Sequence, residues 1–440
     1  MSKRQDRQSR VSMSDLIEVR EALKHSNVFL TGGAGVGKSY MTNEIITAYR
    51  KEGRQVVALG STGVSAVNIG GFTVHSFFVF GIAGNFDELK MGDRRAKKRL
   101  SDLKKILKAT DLIVIDEISM ISTDLLDMIV YRLNTLGYLG KLLLVGDFFQ
   151  LPPIQKKQDK AHLFGEKLYA FESSAWEQLD LMVIELTEMK RTEDREFTQI
   201  LHKVRRGICD EEVVSYLMKV WNHDEVVQDE PTYLYGRNLE VEQTNRAKID
   251  ELDTDETILF ANIEMFGNVH EKKLLGWKKM LPITEQLTLK VGVPVLFTVN
   301  KWGKFVNGER GILHKIEENY LIVEKEEEFV RVERHDFDLL DMVAKPDGTI
   351  ETISLATLSQ FPLKLAYAVT IHKSQGMSID NLVCNVDNIF APSQFYVAIS
   401  RAIDPKTLKI DFNRGDLSQY LQRVIHVDQR VTEYYDRLEA

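Results

Sequence analysis

The segment Gly32–Ser39, which reads GGAGVGKS, constrains the fold of this chain more than any other feature. It fits the pattern G-x-x-x-x-G-K-[ST] and lies between an apolar strand (NVFLT) and a helical stretch (SYMTNEIITAYR). Glycines at these positions let backbone N–H groups and the helix N-terminus surround phosphate oxygens. Lys38 is expected to reach the β and γ phosphates of ATP, and the Ser39 hydroxyl to hold Mg²⁺. The predicted ATP contacts are Gly32, Gly33, Ala34, Gly35, Val36, Gly37, Lys38 and Ser39.

Two acidic residues and a glutamine follow later apolar strands. LIVIDE at residues 112–117 is an apolar strand that ends in Asp116 and Glu117. Asp116 is expected to hold Mg²⁺ through water, and Glu117 to polarise the attacking water as a general base. VGDFFQLPP at residues 145–153 ends at the same sheet edge, where the amide of Gln150 is suited to contact the γ-phosphate. The alternative for Gln150 is a polar residue in a proline-stiffened loop.

Two arginines in the second half of the chain complete the predicted chemistry. Arg191 lies in ELTEMKRTED and Arg401 in QFYVAISRA. Phosphoryl transfer builds negative charge on the γ-oxygens, and an arginine donated from across a cleft contributes about 10³–10⁵ in rate. We predict this role for both residues, and with it a hydrolysis step that requires two lobes to close. Taken alone, each arginine fits a surface ion pair better.

Strands and helical stretches alternate along the chain, which predicts an α/β fold with parallel sheets. The first strands read NVFLTG, QVVALG, DLIVID and KLLLVGD. The pattern weakens after residue 154 and resumes with VIEL near 183, YLYGR near 233 and LVCNVD near 382. We predict a flexible N-terminus at residues 1–12, a first lobe at 13–180 and a second lobe at 181–440. Short β-like pieces near residues 260–360 predict an all-β insertion, a small barrel, within the second lobe.

Composition limits the class of protein. The chain has 440 residues, too many for one ordinary core, and no apolar run approaches the length of a membrane span. The start lacks a signal-peptide core, and the two cysteines have no metal-ligand spacing, so we predict a cytosolic protein. The net charge is −8, but residues 90–108 hold nine Lys/Arg against two Asp. This basic run fits a nucleic-acid surface and a solvated helix face equally well.

Together these motifs resemble the Pif-type (petite integration frequency) DNA helicases of superfamily one, the branch that moves 5′→3′. The resemblance covers nearly the whole chain after residue 25, and RecD-like and phage Dda-like helicases share parts of it. Besides the P-loop, it rests on GSTGVSAVNIGGFTVHSFF at 60–78, VIDEISM at 114–120, GDFFQLPPI at 146–154, FVNGERGIL at 305–313, LAYAVTIHKSQGMSID at 365–380 and QFYVAISRA at 394–402.

The resemblance implies two RecA-like, parallel-sheet P-loop lobes around ATP and Mg²⁺. It implies a small wedge insertion at residues 81–108 of lobe one and a barrel of the Src-homology-3 type in lobe two. By the same resemblance, Thr62 and His75 contact DNA from lobe one, Thr370 and His372 contact it from lobe two, and Gly376 lies at the nucleotide. The expected partners are single-stranded DNA and duplex junctions, served by a monomeric, cytoplasmic, nucleoid-associated motor. Duplexes and G-quadruplexes in replication, repair or recombination are the implied substrates.

This sequence departs from the family pattern at two places. Asp15 stands about where relatives carry an adenine-reading glutamine, and Gln5 and Gln8 lie too early, so adenine selectivity is open. The usual Arg-Gln pair of the fourth motif is Arg191-Thr192 here. Two other functions stay open as well: an RNA helicase of the same superfamily, and an ATP-gated nucleic-acid clamp that does not unwind.

Overall fold

A computed structural model describes residues 12–81, 83, 85–153, 167–222, 230–267, 269–301, 303–325, 328–345 and 350–439. Of the predicted flexible N-terminus, only Ser12 lies within these ranges. None of the helices in the described ranges combines the length and the apolar character that crossing a lipid bilayer requires.

Lobe one is a parallel sheet with helices on both faces. Its elements are α1 (Met13–His25), β1 (Asn27–Gly32), α2 (Lys38–Lys51), β2 (Val56–Gly60), α3 (Gly63–Asn68), β3 (Phe72–Thr73), α4 (Val74–Phe77), α5 (Phe86–Asp93), α6 (Lys97–Ala109), β4 (Leu112–Asp116), α7 (Thr123–Leu136), β5 (Lys141–Val145), α8 (Ser174–Gln178) and β6 (Leu181–Leu186).

The sheet of lobe one has the strand order β3-β2-β4-β5-β1-β6, and all neighbouring strands are parallel. Its central strands are continuous apolar runs because helices cover both faces. Since β4, β5 and β1 are neighbours, their carboxyl ends lie side by side. The loops that leave these ends carry Gly32–Ser39, Glu117 and Asp147–Gln150.

Two segments that we assigned to lobe two belong to lobe one. β6 pairs with β1 along its whole length, from Asn27↔Leu181 to Gly32↔Leu186, which moves the predicted boundary at residue 180 past Leu186. At the other end of the chain, helix Gln429–Glu439 packs Tyr434 and Tyr435 into the core of lobe one. The last helix of the described chain, which we assigned to lobe two, therefore packs as part of lobe one.

The predicted wedge at residues 81–108 consists mainly of α5 and α6. α6 buries Leu103, Ile106 and Leu107 and exposes its lysines, so the basic run is a solvent-facing helix surface. Arg132 of α7 anchors the wedge through a two-pronged ion pair with Asp93, at 2.6 and 2.7 Å. The three phenylalanines before the wedge are all buried: Phe77, Phe78 and Phe80.

Lobe two begins with helices and one strand before the insertion: α9 (Arg195–Arg205), α10 (Glu211–Trp221), β7 (Thr232–Tyr235) and α11 (Asn238–Asp250). The insertion follows: β8 (Thr257–Phe260), β9 (Asn262–Met265), α12 (Glu271–Met280), β10 (Gln286–Leu289), β11 (Pro294–Phe297), β12 (Arg310–Ile316), β13 (Tyr320–Lys325), β14 (Glu328–Glu333), β15 (His335–Ala344), β16 (Ile350–Gln360) and β17 (Leu363–Leu365). The chain then completes the lobe: β18 (Ala368–Thr370), β19 (Leu382–Asn385), α13 (Gln394–Ile399), β20 (Leu408–Asp411), α14 (Leu417–Val424) and α15 (Gln429–Glu439).

The sheet of lobe two is parallel, with the order β18-β7-β19-β20. The strands of the insertion form antiparallel sheets of five, three and two strands around one apolar core. This agrees with the predicted β-rich insertion, although helix α12 was not expected, and the barrel type stays a prediction. The insertion touches lobe one, because α12 packs against the start of α3: a Cβ atom on Gly63 would lie 2.1 Å from Met280 Cβ.

Candidate functional site

The P-loop leaves the end of β1 through backbone conformations that residues other than glycine rarely adopt. The φ angle is +137° at Gly32, +83° at Gly35 and +98° at Gly37. A Cβ atom on Gly32 would lie only 2.3 Å from Leu186 O. Helix α2 begins directly afterwards, so the unpaired N–H groups of its first turn face the loop. The backbone thus has the form that a phosphate cradle requires.

Lys38 lies inside this loop, where its Nζ donates to Gly32 O at 2.7 Å and to Gly33 O at 2.8 Å. Burial lowers the pKa of Lys38, and the nearby negative charges of Asp147, Glu117 and Asp116 oppose that shift. The lysine and these three carboxylates therefore form one cluster at the carboxyl edge of the sheet, in which Asp147 is buried and the other three residues are half-buried.

Asp116 and Glu117 form a tight turn at the end of β4. Glu117 has a left-handed backbone with φ +55°, and its N–H donates to Asp116 Oδ1 at 2.9 Å. Burial and the charge of Glu117 together raise the pKa of Asp116 to about 7. Burial also raises the pKa of Glu117, whereas Lys38 and Arg401 lower it. A strained backbone and perturbed acids in one place are typical of a functional site.

The residues at this edge fit Mg²⁺. The ion takes oxygen ligands and is usually held by one or two carboxylates together with substrate phosphates. Asp116 supplies a carboxylate at the end of β4, and Ser39 supplies a hydroxyl in the first turn of α2. Among the described residues there is no group of three or more His, Cys, Asp or Glu side chains that would hold a metal.

Asp147 and Arg205 form a buried ion pair that we did not predict from the sequence. Asp147 is fully buried after β5, and Arg205 reaches it from α9 of lobe two, with Nη2–Oδ1 at 2.9 Å and Nε–Oδ2 at 3.1 Å. Gln150 is also buried, and its Nε2 lies 3.4 Å from Asp147 Oδ2. The pair therefore joins the two lobes beside Lys38 and orients the predicted γ-phosphate contact.

Arg191 and Arg401 lie next to each other in lobe two. Arg191 donates from Nε to Ser378 Oγ at 2.9 Å and from Nη1 to Ser400 O. Arg401, which is 1% exposed, donates to Val397 O at 2.9 Å and Ser374 O at 3.3 Å. Burial lowers the pKa of both guanidiniums, and their mutual repulsion lowers that of Arg191 further, to about 9.

The two arginines also lie close to lobe one. The charge of Glu117 raises the pKa of Arg401, and a Cβ atom on Gly35 would lie 2.7 Å from Arg191 Cβ. Among the described residues, neither guanidinium makes an ion pair with a carboxylate. Two adjacent cations that form no ion pair, Arg401 buried and Arg191 half-buried, favour binding of an anion such as phosphate.

Two tyrosines that we did not predict from the sequence contact the P-loop region. The Tyr396 hydroxyl of α13 accepts from Ala34 N of the P-loop at 2.8 Å. The Tyr435 hydroxyl of α15 lies 2.7 Å from Thr31 Oγ1 and 3.3 Å from Phe148 N. The Ala34–Tyr396 and Thr31–Tyr435 contacts join residues 362 and 404 positions apart, and no local signal indicates such a pairing.

The predicted DNA contacts of lobe one lie on adjacent short helices. Thr62 caps α3, accepting from Ser65 N at 3.2 Å, and its side chain is half-buried. His75 lies in α4, half-buried, with its ring edge-on to Phe80 at 6.2 Å. Because α12 of the insertion packs beside Gly63, the insertion lies next to this predicted track.

The predicted DNA contacts of lobe two line a cavity of about 600 Å³. Thr370 ends β18 with its Oγ1 accepting from Lys373 N at 3.3 Å, and His372 is half-buried nearby. Gly376 is exposed with φ +76°, and it lies two residues from Ser374 and Ser378, which bond Arg401 and Arg191. The loop thus adjoins both the predicted DNA contacts and the arginines.

The structure shows the contacts of two residues at which the chain departs from the family pattern, Asp15 and Thr192. Asp15 is half-buried in the first turn of α1, where Ser14 Oγ donates to it at 3.3 Å, whereas Gln5 and Gln8 lie outside the described residues. Thr192 is buried, and its Oγ1 accepts from Asp194 N at 3.2 Å.

Known proteins are similar to this chain over nearly its whole length. A family profile described as "PIF1-like helicase" matches residues 5–215, and a second, described as "Helicase", matches residues 294–429. The ATP-dependent DNA helicase Pif1 of Campylobacter jejuni is 40% identical over 433 residues, covering 96% of this chain and 96% of that protein. The ATP-dependent DNA helicase Pif1 of Bdellovibrio bacteriovorus is 35% identical, covering 94% of this chain and 89% of that protein.

Solved structures give the same result. A Bacteroides Pif1 in complex with ADP-AlF4 superimposes with a TM-score of 0.83 at 26% identity, covering 98% of this chain and 97% of the other. Bacteroides Pif1 bound to single-stranded DNA superimposes with a TM-score of 0.65 at 25% identity, covering 98% and 97%. The predicted pair of RecA-like lobes is confirmed, and the chain belongs to the PIF1-like helicase family.

Proposed function

We propose that this ATP-dependent DNA helicase translocates 5′→3′ along single-stranded DNA and separates the strands of duplex junctions. One observation carries the proposal. The half-buried cluster of Lys38, Asp116 and Glu117 in lobe one lies near Arg401 of lobe two, and Arg191 of lobe two lies against Gly35 of the P-loop. A nucleotide bound there would touch both lobes.

Each residue of this cluster has a distinct task in phosphoryl transfer. Lys38 and the P-loop N–H groups would bind the β and γ phosphates, and Gln150 would contact the γ-phosphate. Glu117 would take the proton of the attacking water, for which a pKa raised by burial suits it. When bound, Mg²⁺ held by Ser39 and Asp116 would supply positive charge against the phosphates.

Arg191 and Arg401 would couple this chemistry to lobe position. Their hydrogen bonds go to lobe-two groups, so they move with lobe two as a unit. They can stabilise the negative charge on the transferred γ-phosphoryl group only when the lobes are closed. ATP would therefore favour the closed state, and hydrolysis would favour reopening.

The grip on DNA would alternate between lobes in the same cycle. Thr62 and His75 belong to lobe one, whereas Thr370 and His372 belong to lobe two. If each pair binds backbone phosphate without reading sequence, opening and closing moves one grip relative to the other. Different affinities of the two lobes in the two states are all that directional motion requires.

The polarity rests on the insertions. Between Ser39 and Asp116 the described residues form only strands of the sheet, its helices and the wedge of α5 and α6, whereas the opposite-polarity branch typically has a large helical insertion there. Lobe two holds a β-rich insertion that touches lobe one beside Thr62, where it would hold the strand during release. We further propose a monomeric motor in the cytoplasm, at the nucleoid, acting at forks, displacement loops and G-quadruplexes in replication, repair or recombination.

Strand displacement under single-turnover conditions tests the proposal against an ATP-gated clamp. We expect a trapped enzyme to release the displaced strand of a tailed duplex only with hydrolysable ATP. ATP turnover without displaced strand would favour the clamp. None of the proposed DNA contacts recognises the 2′-OH that distinguishes RNA from DNA, so the preferred strand has to be measured. ATPase activity stimulated more strongly by single-stranded RNA than by DNA of the same sequence would favour an RNA helicase.

A further inference from the structure

Tyr435 of α15 is buried between two strand ends at the nucleotide edge of lobe one. It is 2% exposed, and its hydroxyl lies 2.7 Å from Thr31 Oγ1, in the last turn of β1 before the P-loop. The same hydroxyl accepts from Phe148 N at 3.3 Å, in the turn that follows β5, the β5 turn (residues 147–150). One phenol oxygen therefore joins the base of the P-loop to the β5 turn.

The Tyr435 hydroxyl can make both bonds at once. A phenol has one proton to donate and lone pairs that accept, so it can donate to Thr31 Oγ1 while it accepts from Phe148 N. Burial and the charge of Asp147 raise the pKa of Tyr435, so the hydroxyl keeps its proton at neutral pH. The ring of Tyr435 stacks on that of Phe149, with centroids 4.6 Å apart, which fixes the direction of the hydroxyl.

The two partners of Tyr435 are held to different degrees by the rest of the fold. Thr31 lies inside the sheet, because β6 pairs with β1 as far as Gly32. The β5 turn lies beyond the ladder, because β5 pairs with β1 only as far as Val145. Beyond that point, the hydrogen bond from Phe148 N to Tyr435 ties the backbone of the turn to the rest of the protein. Loss of the hydroxyl should therefore release the β5 turn before it disturbs the P-loop.

We propose that Tyr435 is a positioning residue for ATP hydrolysis, which holds the β5 turn so that Gln150 meets the γ-phosphate of a nucleotide bound by the P-loop. The inference rests on the proposed nucleotide site and deepens it, because Tyr435 acts through Gln150 rather than on the nucleotide directly. It also gives α15 a task in catalysis. This helix follows lobe two in the chain and completes the nucleotide edge of lobe one.

The variants Tyr435→Phe and Tyr434→Phe test this role. Tyr435→Phe keeps the buried ring and removes only the hydroxyl, so we expect kcat for ATP with saturating oligothymidylate to fall roughly 2- to 13-fold, as for the loss of one hydrogen bond. Tyr434→Phe is the matched control, because Tyr434 is the neighbouring buried tyrosine and stacks on Phe171 at 4.4 Å. Among the described residues, the Tyr434 hydroxyl makes no hydrogen bond to Thr31 or to the β5 turn, so this variant should keep the wild-type kcat.

Nucleotide binding distinguishes an effect on the β5 turn from an effect on the P-loop. ADP lacks the γ-phosphate that Gln150 would contact, so Tyr435→Phe should bind ADP with wild-type affinity, measured by titration with a fluorescently labelled ADP. We expect a lower kcat with unchanged ADP affinity. A P-loop loosened by the loss of the Thr31 contact would instead weaken ADP binding as well.

A double-variant cycle tests whether Tyr435 acts through Gln150. Gln150→Ala should itself lower kcat, and once the amide is gone the position of the β5 turn should matter little. Adding Tyr435→Phe to Gln150→Ala should therefore lower kcat by less than about twofold more.

Four results would overturn the inference. These are wild-type kcat in Tyr435→Phe, an ADP affinity that falls as far as kcat, losses that multiply in the double variant, or an equal loss of kcat in Tyr434→Phe. If Lys38→Ala hydrolyses ATP at the wild-type rate, the proposed nucleotide site fails rather than the role of Tyr435 alone.

Discussion

Replacing Arg205 with methionine should destabilise the protein strongly and disturb the nucleotide site. Arg205 is the cationic partner of Asp147, whose side chain is fully buried. Its Nη2 and Nε atoms donate to Asp147 Oδ1 at 2.9 Å and Asp147 Oδ2 at 3.1 Å. Without the guanidinium, the carboxylate keeps only Phe149 N at 3.1 Å and Gln150 Nε2 at 3.4 Å as partners. Removing one partner of a buried ion pair costs about 3–5 kcal/mol.

This cost has a thermal and a catalytic signature. For a domain of roughly 150–250 residues, 1 kcal/mol shifts Tm by about 2–4 °C, so Arg205→Met should lower Tm by roughly 6–20 °C. Asp147 is the largest source of negative charge acting on Lys38, so the uncompensated carboxylate should hold Lys38 away from the phosphates. We therefore expect a higher KM for ATP as well.

The double variant Asp147→Asn/Arg205→Met provides the decisive comparison. With both charges gone, no buried charge is left unpaired, so much of the lost Tm should return. Arg246→Met is the control, since Arg246 and Asp250 form an exposed pair, and such pairs contribute about 0–1 kcal/mol. The reasoning is refuted if Arg205→Met lowers Tm no more than Arg246→Met, or if the double variant loses the sum of the single losses.

Three further predictions concern turnover, base selectivity and pH. Arg401→Ala should lower kcat by about 10³–10⁵ with much less effect on ATP affinity; equal losses in steady-state turnover and equilibrium nucleotide binding would mark Arg401 as structural. Because Asp15 stands where an adenine-reading glutamine is usual, GTP should support unwinding within about tenfold of ATP, or about 1.4 kcal/mol; a thousandfold preference for ATP would show that another group reads the base. Burial, with a smaller contribution from Lys373, lowers the pKa of Lys364 to about 7. The unfolded state then binds more protons between about pH 7 and 10.5, so this lysine destabilises the fold most below pH 7 and least at high pH. Lys364→Met should raise Tm more at pH 7 than at pH 10, and an equal change at both pH values would contradict the assignment.

Local sequence was enough to locate the nucleotide edge. Glycine spacing places the P-loop, and an apolar run that ends in two acids places Asp116 and Glu117, because both signals depend on neighbouring residues. The parallel order of the strands then brings them together at one edge. The sequence also singled out Arg191 and Arg401 as the arginines of lobe two, and the structure places them next to each other.

Long-range pairing was out of reach of the sequence. An apolar strand such as β6 has the same sequence pattern whichever sheet it joins. The predicted boundary at residue 180 therefore separated β6 from the sheet of lobe one to which it belongs. Arg205 lies in HKVRRG, which resembles an exposed basic turn, and only the fold shows its buried partner 58 residues earlier. Helix α15 has an ordinary amphipathic pattern, and nothing in it reveals that Tyr435 returns to Thr31.

The direction of unwinding tests the central claim most directly. Duplexes with only a 5′ tail or only a 3′ tail should be compared under single-turnover conditions, with Lys38→Ala as a control that still binds single strands. We predict ATP-dependent displacement of the 5′-tailed duplex, little displacement of the 3′-tailed duplex, and none of either by the control. Efficient unwinding of the 3′-tailed duplex alone, with the 5′-tailed duplex left intact, would contradict the account.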